Sequence, residues 1–172
     1  MVDELGDAFM AKINLENCLE LATKYHKNQK RRDGSEYINH PITVAKMVKD
    51  AGYSEEYQAA ALFHDLLEDT ECTKQEILDL SSAEVLEAVL LVTKRYNLPE
   101  EKYIDRILAN PIAKVVKNYD RIHNLTDAVN SHDDKFIARY LEDSLHNYVG
   151  KFSDELDQAY SKLAKAFEVA KK

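Results

Sequence analysis

The segment at residues 59–67 constrains the fold most, because it is apolar on nearly every side of a helix yet carries His64 and Asp65 at its centre. A helix that is apolar all round is normally buried on all sides. Burial of an unpaired carboxylate costs many kcal/mol, roughly tens by an idealised Born estimate, so Asp65 requires a cation close by. The segment therefore predicts a central helix, enclosed by other elements, with a charged site along one edge.

The rest of the sequence has helical spacing. Only four glycines and three prolines interrupt 172 residues, and no alternating apolar and polar run is long enough to indicate a strand. Apolar spacing predicts a first helix with one buried face, formed by Ala8, Ala11, Leu15, Cys18, Leu19 and Ala22. Capping and proline signals predict further helix starts at Pro41, Ser54, Thr73, Ser81, Pro99, Pro111, Ser131 and Ser153. The helix after Ser54 is expected to continue to about Asp69. We predict an all-α fold with a single domain over residues 1–172.

The formal net charge of −8 argues against a nucleic-acid polymer as partner, since such a surface needs a basic stripe. Five basic residues are nevertheless clustered at positions 24–32, which suits a small anionic ligand. No apolar run approaches the roughly 20 residues that a membrane span needs. The acidic start is unlike a secretory signal, so we expect residence in the cytoplasm. Cys18 and Cys72 are expected as buried, reduced thiols.

Several ionisable groups are expected along one edge of the central helix. Glu68 and Asp69 follow His64 and Asp65 by four residues, which places them on the same side of the helix. His40 precedes a proline, and such a residue is disfavoured in the helical region, so His40 is expected at a helix entry with its direction fixed. Taken alone, His40 would be an exposed turn residue. It becomes a candidate ligand only as a partner of His64 and Asp65.

Asp120 interrupts the apolar spacing of another expected helix, and Asn124 lies one turn further on. An isolated Asp120 would be a solvated or salt-bridged carboxylate, but beside two histidines and Asp65 it completes a set of four nitrogen and oxygen ligands. Mixed imidazole and carboxylate ligands suit Mn²⁺, Fe²⁺ or Zn²⁺, whereas an all-oxygen set would have indicated Mg²⁺ or Ca²⁺. His26 is expected to be packed and hydrogen-bonded, and His123 is expected to lie behind the ligands.

The motifs resemble those of the HD superfamily of metal phosphohydrolases, which is named for the pair found here as His64-Asp65. Within that superfamily the sequence is similar to the alarmone hydrolases related to the RelA/SpoT enzymes, over roughly residues 20–130. Four segments carry the similarity in the right order: RRDGSEYINHP at 31–41, HDLLEDT at 64–70, VTK at 92–94 and DRIHN at 120–124. Each segment alone is a weak signal, but the four together are highly specific.

The resemblance implies an all-helical fold with one Mn²⁺, or another divalent transition metal, held by His40, His64, Asp65 and Asp120. It implies hydrolysis of the 3′-pyrophosphate of guanosine tetra- or pentaphosphate, which yields GDP or GTP and pyrophosphate. Glu68 and Asp69 would position and deprotonate the attacking water. The nucleotide would be contacted by Arg31, Arg32 and Asn124, with Arg31 stacked on the purine.

Two positions depart from the family's usual pattern. Tyr119 replaces a small residue and would reshape the site, and Asp127 would repel a pyrophosphate if it faced the pocket. Two other functions stay open. One is an HD phosphohydrolase that acts on another nucleotide, such as a deoxynucleotide or a phosphorylated dinucleotide cofactor; the other is a non-catalytic module that senses a ligand. The helix expected from about Ser153 to Lys172 would pack on its own core or on a second copy of the chain.

Overall fold

The computed structural model of the protein describes residues 12–170, so Ala8, Ala11 and Lys172, which were assigned to the first and last predicted helices, lie outside the described residues. Within that range the chain forms ten α-helices, and a short 3-10 helix, Ala128–Ser131, precedes the ninth. The helices are α1 (Leu15–His26), α2 (Asn39–Asp50), α3 (Glu55–Phe63), α4 (Leu66–Asp69), α5 (Lys74–Leu80), α6 (Ala83–Val92), α7 (Glu100–Leu108), α8 (Pro111–Asp127), α9 (Asp134–Asn147) and α10 (Asp154–Ala170).

The predicted all-α class is confirmed over residues 12–170, where extended backbone pairs only in an isolated bridge between Lys30 and Glu36. The helices share one hydrophobic core, and Cys18 and Cys72 lie in it as free thiols at 0% and 6% exposure. The expectation of buried, reduced cysteines is therefore confirmed. None of the helices in the described range combines the length and the apolarity needed to cross a membrane.

Side-chain caps account for most of the predicted helix starts, because they satisfy the N–H groups that have no partner inside a helix. Thr73 forms a capping box with Glu76 at the start of α5. At the start of α8 the Asn110 side chain accepts a hydrogen bond from the Ala113 N–H, and Pro111 occupies the first helical position. Three starts were wrong by one or two residues. One is that of α7, which begins at Glu100 with Pro99 at the N-cap. Ser82 caps α6 in place of Ser81, whose hydroxyl donates to the last turn of α5, and α9 is capped by Asp133 in place of Ser131.

The start of α2 also differs from the prediction, and the difference concerns His40. The helix begins at Asn39 instead of Pro41, because the His40 N–H donates to the Tyr37 carbonyl at 3.0 Å and closes a turn before the proline. His40 is therefore helical and only 1% exposed. A following proline disfavours the helical region for His40 but does not forbid it. The expectation that His40 lies outside the helical region was wrong.

The central helix is interrupted at its ionisable residues. It was expected to continue to about Asp69, but α3 ends at Phe63 and α4 begins at Leu66. The imidazole Nδ1 of His64 lies 2.6 Å from the Ala61 carbonyl oxygen. In an uninterrupted helix that carbonyl would accept from the N–H four residues later. The His64 side chain competes for this acceptor, and the chain turns at the point where the site forms.

The enclosure of the central helix is confirmed. Every residue from Ala59 to Phe63 is at most 6% exposed. The helix α3 packs against α2, α1, α6 and α8, and the run of small alanines allows these neighbours to approach closely. The last helix, α10, packs on α8 and α9, so the described part of it covers the protein's own core.

Enlarging a side chain on α3 should destabilise the fold. Ala60 is 1% exposed, so Ala60→Leu forces extra methylenes into a closely packed interior and should cost about 1–3 kcal/mol of the free energy of unfolding. The same change at the exposed Ala138 on α9 should cost less than about 0.5 kcal/mol. Urea unfolding of both variants measures the difference. Equal stability of Ala60→Leu and Ala138→Leu would contradict the enclosure of α3.

Candidate metal centre

Four side chains from separate parts of the chain converge at the centre of the helical body. His40 lies on α2, His64 and Asp65 lie between α3 and α4, and Asp120 lies on α8. The Nε2 atom of His40 is 2.8 Å from Asp120 Oδ1, 3.3 Å from His64 Nε2 and 3.8 Å from Asp65 Oδ2. The Nε2 atom of His64 is 3.0 Å from Asp65 Oδ2 and 3.4 Å from Asp120 Oδ1. Two nitrogens and two oxygens thus face one point.

The backbone fixes which nitrogen of His64 faces that point. A carbonyl oxygen can only accept, so the contact of Nδ1 with the Ala61 carbonyl places a proton on Nδ1. In the neutral imidazole, Nε2 then carries the lone pair that a metal ligand requires. Although burial disfavours the charged imidazolium, the carboxylates of Asp65 and Asp120 raise the pKa of His64 well above its usual value. These carboxylates therefore stabilise a positive charge at Nε2.

Asp120 is held by contacts on both carboxylate oxygens. Its Oδ1 accepts from Asn124 Nδ2 at 3.1 Å as well as facing the imidazoles, and its Oδ2 accepts from Lys117 Nζ at 3.0 Å. Burial opposes ionisation of Asp120, but Lys117 and His64 nevertheless hold its pKa well below the usual value. Asp120 is therefore an anion in the interior, with one oxygen presented to the imidazoles.

Asp65 is stabilised in the same way by groups from outside the central helix. The Tyr37 hydroxyl donates to Asp65 Oδ2 at 2.5 Å. Burial and the neighbouring Asp65 raise the pKa of Tyr37, so Tyr37 remains a donor. Burial likewise opposes ionisation of Asp65, but His64 lowers its pKa below the usual value. Sequence reasoning assigned no role to Tyr37 or Lys117. Tyr37 is 28 residues from Asp65, so no local pattern indicates that contact. Lys117 precedes Asp120 by three residues on the same helix, and this spacing could have indicated the pair.

These residues fit a bound metal ion. Donor atoms of His40, His64 and Asp65 all lie within 4.8 Å of one another, and Asp120 Oδ1 is 2.8 Å from His40 Nε2. The buried carboxylate of Asp120 and the half-buried one of Asp65 face two imidazoles, which is a donor set of the kind that binds Mn²⁺, Fe²⁺ or Zn²⁺. A divalent cation at their centre would balance the charge of the two carboxylates.

His123 lies behind His40, as expected. The two Nδ1 atoms are 2.7 Å apart, and the rings stack with centroids 5.0 Å apart at 16°. Burial, together with His40 and Arg31, lowers the pKa of His123 to about 4, so His123 is neutral at pH 7. The contact fixes the ring of His40 from the side away from the ligands. Such outer partners orient metal-binding histidines.

Glu68 and Asp69 lie next to the ligand set. The carboxylates of Asp65, Glu68 and Asp69 have oxygens within 4.8 Å of one another. Glu68 Oε1 accepts from the Lys94 N–H at 2.6 Å, which attaches α4 to the loop after α6. Desolvation and the charges of Asp65 and Glu68 raise the pKa of Asp69 to about 6. A carboxylate with this pKa can exchange a proton near neutral pH.

A cavity of about 310 Å³ adjoins the ligand set. Its lining includes the three residues that were predicted to contact a nucleotide: Arg31, Arg32 and Asn124. Two lining residues also contact the ligands, since Tyr37 donates to Asp65 and Asn124 donates to Asp120. The structure thus brings the predicted nucleotide contacts and the predicted metal ligands to adjoining positions.

The two unusual positions have different locations. Tyr119 does not line the cavity, and burial together with the nearby Glu155 and Tyr53 raises its pKa. Asp127 lines the cavity and accepts from Arg31 NH2 at 3.2 Å. The basic residues of this segment are also paired, which their sequence did not indicate. The lining residues Lys30, Arg31 and Arg32 each have a carboxylate within salt-bridge distance.

The remaining histidines are outside the ligand set. His26 is 1% exposed, and its Nδ1 lies 2.8 Å from Gln29 Oε1, which confirms a packed, hydrogen-bonded residue. His132 and His146 are exposed.

The fold and this cluster define a helical domain with an HD-type candidate metal centre. A family model described as HD domain matches residues 18–102. The zebrafish protein named guanosine-3′,5′-bis(diphosphate) 3′-pyrophosphohydrolase MESH1 is 36% identical over 118 residues, which are 63% of this chain and 66% of that protein. The human protein of the same name is 38% identical over 117 residues, covering 63% of this chain and 65% of that protein. The chain matches the HD domain family over residues 18–102 and is similar to these MESH1 proteins.

Two further matches extend the comparison. A guanosine-3′,5′-bis(diphosphate) 3′-pyrophosphohydrolase of Aquifex aeolicus is 36% identical over 119 residues, which are 64% of this chain and 17% of that protein. A solved structure described as "A metazoan ortholog of SpoT hydrolyzes ppGpp and plays a role in starvation responses" has the same fold, with a TM-score of 0.68 and 22% identity over 91% of this chain and 98% of that one. The aligned part of the chain spans just under two thirds of the MESH1 proteins.

Removal of a ligand should abolish tight metal binding. Loss of an outer partner of a metal ligand costs roughly 10–100-fold in affinity, so Asp65→Ala should weaken Mn²⁺ binding by at least about 100-fold. Calorimetric titration of Mn²⁺ into protein stripped with a chelator measures the change. Asp79→Ala, at an exposed position on α5, is the matched control and should bind Mn²⁺ like the wild type. Unchanged affinity in Asp65→Ala would exclude Asp65 as a ligand.

Proposed function

We propose that the protein hydrolyses the 3′-pyrophosphate of guanosine tetra- or pentaphosphate to GDP or GTP and pyrophosphate. The observation that carries this proposal is that the cavity adjoins the cluster of His40, His64, Asp65 and Asp120. Tyr37 and Asn124 line the cavity, and they donate hydrogen bonds to Asp65 and Asp120, respectively. A ligand that fills the cavity can therefore present its other end to the cluster. The names of the MESH1 and Aquifex relatives support guanosine-3′,5′-bis(diphosphate) as that ligand.

The metal would be Mn²⁺, with His40, His64, Asp65 and Asp120 as its ligands. The mixed imidazole and carboxylate donors support a transition metal in place of Mg²⁺. A bound divalent cation supplies two effects, a lower pKa for a nearby water and neutralisation of charge on phosphoryl oxygens. The protein's own part is to keep both carboxylates ionised, through Lys117 at Asp120 and Tyr37 at Asp65.

Glu68 and Asp69 would position and deprotonate the attacking water. Hydrolysis forms a bond between the water oxygen and the phosphorus attached to the ribose 3′ oxygen. It breaks the bond from that phosphorus to the ribose 3′ oxygen, which takes up a proton from solvent and becomes the 3′ hydroxyl of GDP or GTP. Pyrophosphate, which now carries the oxygen of the attacking water, is released. The proton lost by the water passes to one of the two carboxylates. Both are exposed, so water reaches them, and the raised pKa of Asp69, about 6, suits proton exchange near neutral pH.

Arg31, Arg32 and Asn124 would contact the nucleoside part of the substrate. All three line the cavity, which has a volume at the lower end of the roughly 300–1,000 Å³ typical of ligand pockets. Planar guanidinium groups stack on flat rings, and Arg32 already does so on Phe136, 3.8 Å from the ring centroid. The walls of the cavity therefore suit a planar base.

The proposal is tested by release of pyrophosphate from guanosine tetraphosphate. Purified protein with Mn²⁺ should release pyrophosphate and GDP, and excess chelator should abolish the reaction. A panel of other nucleotides, including deoxynucleotides and phosphorylated dinucleotides, should give no turnover. Release of single phosphate groups from that panel would indicate an HD phosphohydrolase of different specificity. Metal binding without any turnover would indicate a ligand-sensing module, and either result would reject the proposal.

Glu68→Gln should separate metal binding from chemistry. The amide keeps the shape of the side chain and can still accept from the Lys94 N–H, but it cannot take a proton. Acid–base groups typically contribute about 10²–10⁴-fold to rate, so kcat should fall by at least about 100-fold while Mn²⁺ affinity stays unchanged. The matched control is Glu71→Gln, at an exposed position after α4, which should keep full activity. A fully active Glu68→Gln would remove Glu68 from the mechanism.

A further inference from the structure

Charge pairing is the unexpected property of the cavity next to the cluster. Three basic residues are found in its lining within the described part of the chain, and a site for a polyanion would be expected to leave them unpaired. Each instead has a carboxylate partner, in the pairs Lys30–Glu36, Arg31–Asp127 and Arg32–Asp133. Asp127 is itself part of the lining. The cavity is therefore close to neutral despite its basic segment.

The Arg31–Asp127 pair is the best shielded of the three. The exposures of the two side chains are 14% and 24%, against about half for both members of the other two pairs. Asp127 Oδ2 accepts from Arg31 Nε at 3.3 Å and from NH2 at 3.2 Å. Asn130 Nδ2 donates to Asp127 Oδ1 at 2.9 Å, and Arg31 NH2 also donates to Asn124 Oδ1 at 2.9 Å. Both members of the pair are thus fixed by a second contact.

We propose that Asp127 is a specificity-determining residue that acts through Arg31. By neutralising Arg31 and fixing its guanidinium plane, Asp127 makes the cavity accept an uncharged planar ring and disfavour phosphate groups. The proposal rests on the proposed function, which assigns the nucleoside to the cavity and the pyrophosphate to the cluster. It adds a reason for that orientation. Binding of the pyrophosphate in the cavity gains little electrostatic free energy, so the pyrophosphate binds at the cluster instead.

Three other lining residues of the cavity support a ring as its occupant. The Arg32 guanidinium lies over the face of Phe136, and Phe136 stacks on Tyr140 with centroids 5.4 Å apart. These three side chains line the same cavity as Asp127. Flat, polarisable groups of this kind bind a base by stacking without adding free charge.

The test uses two ligands that share a base and differ in charge, guanosine and GTP, neither of which has a 3′-pyrophosphate. Their dissociation constants are measured by calorimetry on the metal-loaded wild type and on Asp127→Asn, which keeps the shape of the side chain and an acceptor oxygen. Removal of the Asp127 carboxylate removes a negative charge that repels the phosphates of GTP. The ratio of the dissociation constant for GTP to that for guanosine should therefore fall by about tenfold at low salt. Guanosine affinity should change by less than about twofold.

Two further variants complete the design. Asp50→Asn removes the same charge from an exposed pair with Lys46 on α2 and should leave the ratio unchanged. Asp133→Asn should lower the ratio in the same direction but less, because its contact with Arg32 is longer, at 3.8 Å, and more exposed. A ratio that is the same in Asp127→Asn and Asp50→Asn, or an equal shift for both ligands, would overturn the proposal. This outcome is independent of whether guanosine tetraphosphate is hydrolysed, so each proposal can fail on its own.

Discussion

Two carboxylates in the centre of a helical protein must each be matched by positive charge or donated hydrogen bonds, and this requirement organises the surrounding structure. Asp120 meets Lys117 on one oxygen and the imidazole of His40 on the other. Asp65 meets the Tyr37 hydroxyl and the imidazole of His64. An unmatched charge would cost far more than one hydrogen bond contributes, so these contacts fix the positions of α2, α8 and the turn between α3 and α4.

Two hydrogen bonds also connect the candidate metal ligands to the neighbouring cavity. Tyr37 and Asn124 each have one neighbour in the ligand set and also line the cavity, so a ligand in the cavity touches the side chains that orient Asp65 and Asp120. The cavity carries little net charge because Arg31 is paired with Asp127, whereas the cluster would hold a cation. Two adjoining spaces of different charge suit the two ends of a nucleotide with a terminal pyrophosphate.

The helical class and most helix starts could be predicted from the sequence, because apolar periodicity and caps are local signals. Nine helices were expected, whereas ten α-helices form within residues 12–170. The errors also have local causes. At His64 the side chain competes with the backbone for the Ala61 carbonyl, which ends α3 before the predicted boundary. At His40 a backbone hydrogen bond to Tyr37 starts the helix before the proline. Propensity describes the average cost of such conformations, and burial in a charged centre outweighs it here.

The sequence by itself determined the ligand candidates and the resemblance to the HD superfamily, because ionisable residues within apolar helices need a balancing charge and the motif order is specific. The HD domain model ends at residue 102, and Asp120 joins the cluster through the packing of α8 on α2 and α3. Only the tertiary structure decided the contact of Tyr37 with Asp65, the imidazole that faces Asp120 and the partner of Arg31. Asp127 lies 96 residues from Arg31 in the chain, and contact at that separation depends on how the helices are rotated against each other, which no local pattern encodes.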